Sequence, residues 1–209
     1  MRHRRTGRKL GRNPSHQRAL LRSLASALFL TERDAEFDPN PPKVKGRITT
    51  TISKAKEVRP LVEKCITIAK KSRLAEDAAR EHGTSAERNS DQWKKWRESD
   101  KWKSWNAAIA PAVAGRRRCL QLLGDKTAVR ALFNEVAGRF ADRPGGYTRI
   151  VRLAKPRLGD AGTQAILELV GVRDRVVQRS QKPSFDDAPA SDKPAKSGKR
   201  EPATAGAAE

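Results

Sequence analysis

The sequence predicts an α+β fold of two layers, with helices packed on one side of a small three-stranded sheet. Three observations predict it. Apolar residues recur at helical spacing, most cleanly at Val129, Leu132, Phe133, Val136 and Phe140. Three short runs, 47–52, 147–153 and 165–170, have the β-branched, alternating character of strands. Strands and helices only partly alternate along the chain, which points to α+β. This domain is placed at 14–173, with inserted segments at 31–46 and 74–115. It is preceded by an extended basic arm, 1–13, and followed by a tail, 174–209, whose prolines and alternating charges predict disorder.

Arg2, Arg4, Arg5, Arg8, Lys9 and Arg12 share the arm with two glycines and no carboxylate, so the arm cannot bury enough apolar area to fold alone. It needs a polyanion. Asn13 is a good N-cap and Pro14 suits the first helical position, ahead of Leu20, Leu21, Leu24, Leu28 and Phe29 at helical spacing. Arg18 and Arg22 fall off that stripe. Asp38-Pro39-Asn40-Pro41-Pro42 excludes a helix in 31–46. The strand from Arg47 to Ile52 then meets Ser53, a candidate cap for a helix through about Lys71, where Pro60 should bend the helix or move its start. Its stripe is Val58, Leu61, Val62, Cys65, Ile66 and Ala69. Lys56, Arg59, Lys64, Lys70 and Lys71 lie outside it as a second basic rim.

All four tryptophans fall in an imperfect nine-residue repeat, 91–99 and 100–108, which Pro111 is expected to end. On one continuous helix the pair Trp93 and Trp96 would sit nearly opposite Trp102 and Trp105, so a break is expected near Ser99-Asp100. The four rings read either as a small satellite core or as a docking device for protein or RNA. A short helix, stopped by Gly124, and an Asp125-capped helix follow. Arg143-Pro144-Gly145-Gly146 is a turn into the last strand pair, whose connecting loop runs from Lys155 to Gln164.

Net charge is +21 over 209 residues, and its distribution says more than its size. Residues 1–30 carry eight bases and no acid, 47–73 eight and two, and 116–173 twelve and five. The other three segments cancel. Such a charge attracts nucleic acid through counterion release, and the neutral segments serve some other purpose than binding phosphate.

Other classes find little support. Cys65 and Cys119 have no CxxC spacing and no clustered histidine, so neither metal nor cofactor is expected, and Cys65 reads as a small core residue in a reduced, intracellular chain. No apolar run is long enough to span a membrane. The Arg-rich start with Ala25-Ser26-Ala27 has the look of a cleavable targeting peptide, but Arg22 interrupts its apolar region and a removable address needs no helix cap. Nucleotide-binding and hydrolase motifs are absent, which argues against an enzyme or a small-molecule substrate. A free-standing DNA or RNA regulator fits the charge but normally shows a compact reading helix or aromatic platform.

Three blocks, MRHRRTGRKLGRNPSHQRALLRSLASAL, ITTTISKAKEVRPLVEKCITIAKK and ALFNEVAGRFADRPGGYTRIVRL, together resemble the seventeenth protein of the bacterial large ribosomal subunit. They cover about 1–30, 47–73 and 116–170 in family order, with 31–46, 74–115 and the tail as departures. The resemblance implies a structural, rRNA-binding protein of the cytoplasmic ribosome, with large-subunit rRNA and neighbouring ribosomal proteins as partners. It makes Arg2, His3, Arg4, Arg5, Arg8, Lys9, Arg12, Asn13, Ser15, His16, Arg18 and Arg22 candidate rRNA contacts, with the histidines donating to phosphate or stacking. It adds Arg143, Gly145, Gly146, Tyr147, Thr148 and Arg149, in which the glycines let the backbone approach a sugar-phosphate chain and Tyr147 is available to stack. By sequence physics alone Gly145-Gly146 reads equally well as a plain hairpin entry. Trp93, Trp96, Trp102 and Trp105 are the candidate docking residues.

Overall fold

In a computed structural model of the chain, the described residues are 8, 10–33, 35, 38 and 41–171. All fall in the first of two units, Met1–Arg175; the second, Val176–Glu209, and with it the expected disordered tail, lies outside them. Helix α1 is Pro14–Leu30, and Asn13 caps it by accepting the Ser15 N–H at 2.8 Å. Its last two turns bury Ala25, Ser26, Leu28 and Phe29. The excursion that follows is fastened at both ends, because the Gly46 N–H donates to Thr31 Oγ1 at 2.9 Å. Arg139 adds an ion pair to Glu32 at 2.5 Å, with the carboxylate side chain only 9% exposed.

Strand β1, Arg47–Thr51, runs straight into helix α2, Ile52–Arg80. The cap position is therefore Thr51, without a side-chain bond, and Ser53 lies inside the helix. Pro60 is accommodated within α2 on its exposed side, where solvent can reach the carbonyl that has lost its donor. The helix also runs nine residues past Lys71, because its end packs against α4. Helix α3, Asp91–Glu98, is capped by Ser90, and extended Ser99 separates it from α4, Asp100–Leu123. The expected break is there.

Pro111, expected to stop this region, sits inside α4 with its ring exposed. The short helix expected before Gly124 is the last part of this long one. Packing against α2 outweighs the local cost of one missing hydrogen bond. Gly115 lets the two helices approach, since a Cβ there would lie 1.9 Å from Ser72 Oγ. Nearby, the buried Cys119 Sγ lies 3.8 Å from the Cys65 carbonyl. The hydrogen bond with Cys119 and then burial push the Cys65 thiol up from its ordinary pKa. Gly124 closes α4 in the left-handed conformation, φ 78°, and Asp125 caps α5 by accepting from Thr127 and Ala128. Helix α5 starts as Lys126–Ala131, passes through a π-helical segment, Leu132–Val136, and closes with Ala137–Arg139. The wider turn helps bury Leu132, Phe133 and Val136 together.

Strands β2, Thr148–Arg152, and β3, Gln164–Leu169, complete an antiparallel sheet of order β1-β3-β2. Ile48, Leu167 and Ile150 form one row, on the face that meets the helices. Arg47, Glu168 and Arg149 form the adjacent row, on the opposite face. The core joins Leu28 and Phe29 of α1, Val58, Val62 and Ile66 of α2, Leu132 and Val136 of α5, and Leu167 and Leu169 of the sheet. Helices thus cover one side of a three-stranded sheet, as the sequence predicts.

Candidate nucleic-acid interface

Helix α2 is the spine of the basic surface. With one face in the core, helical spacing puts Lys56, Lys64 and Lys71 on the other, and all three are exposed. The steps between them, eight and seven residues, are about 12 and 10.5 Å at 1.5 Å per residue. None of the three has a carboxylate partner among the described residues. The two acids of this stretch lie to either side of the row and are already engaged. Glu57 holds Arg8 Nη1 at 2.8 Å and so pins the base of the arm beside the lysines. Glu63 accepts the N–H of Tyr147 at 3.2 Å, the N–H of Thr148 at 3.0 Å and the Thr148 hydroxyl at 2.7 Å. It latches the glycine turn to the row's other flank.

Lys70 belongs to this latch rather than to a free rim, because its Nζ donates to the Arg143 carbonyl at 2.6 Å. The Arg143 Nε in turn donates to Gly145 O at 3.3 Å. Gly146 takes φ +67°, which favours glycine, and the space around both glycines is open. Backbone approach is therefore available there. Stacking on Tyr147 is not. Its ring is 2% exposed and packs against Phe140 with centroids 5.1 Å apart, so the alternation that opens β2 turns it into the core. Thr148 is also buried, at 4%, with its donors committed to Glu63. Arg149 makes a two-nitrogen contact with its cross-strand partner Glu168, at 2.7 and 2.6 Å.

Along the arm, Arg2, His3, Arg4, Arg5 and Lys9 lie outside the described residues. Arg12, Ser15 and Arg18 are exposed, while Asn13 uses its side chain as the cap. His16 is exposed and lies against Gly11, whose carbonyl accepts from Gln17 Nε2 at 2.6 Å. The chain is thereby turned into α1. Arg22 reaches across to the Gln121 carbonyl at 3.0 Å, near the end of α4, where Arg118 bonds the same glutamine's side chain at 2.9 Å. The structure thus brings the arm base, the lysine row and the glycine turn together around α2, and sets Arg22 apart at the α1–α4 junction.

Comparison with known proteins decides the family. The model of ribosomal protein L17 matches residues 20–170. The chain belongs to the ribosomal protein L17 family. A curated L17 relative, large ribosomal subunit protein bL17 of Rhodopirellula baltica, is 63% identical over 193 residues, 92% of each chain. The bL17 of Acidobacterium capsulatum is 35% identical, covering 87% of this chain and 80% of its own. That of Desulfovibrio desulfuricans is 34% identical, covering 81% and 68%.

The α2 lysines are legible in the sequence as a rim, whereas the framing role of the two glutamates is visible only in the fold. Their signal was present in part. Only two acids occur in 47–73, and both fall beside the lysine row at helical spacing.

Proposed function

We propose that this L17 chain is a structural constituent of the large ribosomal subunit that binds and stabilises its rRNA in the cytoplasm, alongside neighbouring ribosomal proteins. The observation that carries this is the carboxylate-free row Lys56, Lys64 and Lys71, framed by the arm base and the glycine turn. A folded RNA strand running along α2 would meet this row of ammonium groups, and the arm would thread between rRNA helices where a globular face cannot reach. Among the described residues no group of three or more His, Cys, Asp or Glu side chains could hold a metal ion. Nor is any described helix long and apolar enough to cross a membrane.

Sedimentation tests the assignment. The tagged full-length chain should co-migrate with large subunits through a moderate salt wash, and a chain lacking residues 1–12 should be lost from them. Recovery of the full-length protein in the light fractions would refute a structural role and favour a free-standing regulator.

A further inference from the structure

The hairpin formed by the end of α2, α3 and the start of α4 carries all four tryptophans, and the L17 assignment leaves them without a task. The satellite-core reading accounts for half of them. Trp96 and Trp105 meet edge to face, centroids 5.6 Å apart, and the Trp96 indole N–H donates to the His82 carbonyl at 3.1 Å. That pair closes the hairpin. Trp93 and Trp102 are placed differently: each has the Arg97 guanidinium over its ring, at 5.1 and 5.9 Å. None of the four is fully buried, and α3 buries no residue at all.

Together the four indoles line an open cavity of about 380 Å³, with Arg88 and Arg97 on its wall and no carboxylate among its described lining residues. A neighbouring cavity differs in just this respect, since Arg116 there is neutralised by Glu76 at 2.8 Å. An apolar peptide side chain would use the rings but offer no anion to Arg88, or to Arg97, which already lies over two of them. A group that is both planar and anionic uses both.

We propose that this cavity is a binding site for a single unstacked RNA nucleotide, its base against the Trp93 and Trp102 indoles and its phosphate held by Arg88 and Arg97. Indole faces stack on any base, and guanidinium planes both stack and pair with phosphate, so the site reads the presence of a splayed-out nucleotide rather than a sequence. The inference deepens the rRNA-binding reading by naming what the neutral hairpin contributes to it.

Because every tryptophan of the chain lies in this hairpin, intrinsic fluorescence reports on the site without a label. The full-length protein is titrated with end-labelled oligoadenylate and with an abasic ribose-phosphate oligomer of equal length, following anisotropy and tryptophan emission together. Both probes should bind through the basic surface, and only oligoadenylate should quench and then saturate. Trp102→Ala should weaken the quenching titration roughly tenfold, and Trp102→Phe should restore most of it. Equal quenching by the two probes, or adenylate binding that leaves emission unchanged, overturns the proposal, as does protection that appears only when ribosomal proteins join the complex. Should Trp102→Ala misfold by circular dichroism, the two-probe comparison on the unaltered chain still decides. Co-sedimentation with large subunits is independent of this signal, so a failed cavity and a failed ribosomal assignment give different results.

Discussion

Replacing Glu63 by alanine tests whether the glycine turn is held by one carboxylate. Three donors converge on it: the N–H groups of Tyr147 and Thr148 and the Thr148 hydroxyl, at 3.2, 3.0 and 2.7 Å. A hydrogen bond to a charged partner is worth about 1.5–3 kcal/mol. The three do not sum, because the carboxylate side chain is 22% exposed and water can enter the space vacated. Thr148, only 4% exposed, loses its hydroxyl's partner, and water entering from the exposed side restores only part of that bond. A loss of about 3 kcal/mol follows, on the scale of one buried polar group stranded and one strong bond removed. At about 2–4 °C per kcal/mol for a chain of this size, the melting temperature should fall by roughly 6–12 °C. Thermal and urea unfolding of the full-length chain, followed by far-ultraviolet circular dichroism, measure this. Glu63→Gln should lose less, since its amide oxygen can still accept both Thr148 donors, which share Oε1, and only the Tyr147 N–H is left facing a donor. Glu57→Ala is the control, because its ion pair with Arg8 is partly exposed at 44% and 21% and should cost under about 1 kcal/mol. If Glu63→Ala unfolds no earlier than Glu57→Ala, the latch is not a latch.

Replacing Lys56, Lys64 and Lys71 together by glutamine should leave the melting temperature nearly unchanged. It should also lower the slope of log affinity for RNA against log salt by about 2–3, read by filter binding over a salt series; an unaltered slope would remove the row from the interface. At the turn, Gly146→Ala should destabilise by about 1 kcal/mol through its φ of +67°, whereas Gly145→Ala, in open space without a positive φ, should be close to neutral by thermal melting. In the β2–β3 loop, Arg157 and the Gly162 N–H hold Asp160 well below the usual carboxylate range. A depressed acid contributes its contact above its ordinary pKa and loses it as pH falls through the lowered one. Asp160 should therefore keep its charge on acidification through the range in which an ordinary carboxylate protonates, and an Asp160 carboxyl chemical shift that moves within that ordinary range would contradict the pairing.

The parts of this fold that the sequence shows are those set by neighbours along the chain. Asn13-Pro14 starts α1, Asp125 caps α5 and the β-branched runs become strands, because capping and alternation are local. The misreadings share the opposite cause. Pro111 looks like a helix end and Pro60 like a bend or a later start, but each sits within a helix, on its exposed side, that long-range packing keeps continuous. Tyr147 looks available beside two glycines, yet its backbone is bound by a glutamate 84 positions earlier, and no pattern near the turn announces that. Lys70 reads as one more rim cation until its partner, 73 positions away, is visible. At the interface, then, the sequence shows which residue types gather, and only the fold shows which of them are already spoken for.

That distinction separates two modes of RNA contact within one chain. In the hairpin the charges cancel locally: Arg80 pairs with Asp77, Lys94 with Asp91, Lys103 with Asp100 and Arg116 with Glu76. Opposite charges this close leave little field beyond a Debye length of about 8 Å at physiological salt, so the hairpin is not steered toward phosphates from a distance. Whatever it binds must be held by contact. On the proposed reading that contact is largely base stacking, which responds weakly to ionic strength, whereas the arm and the lysine row act through counterion release, which responds steeply. Raising salt during the oligoadenylate titration should therefore weaken overall binding steeply while the tryptophan quenching of each bound complex stays nearly constant. If the quenching per bound complex instead faded in step with affinity, the tip would be one more electrostatic contact, and the neutrality of residues 74–115 would have no part in recognition.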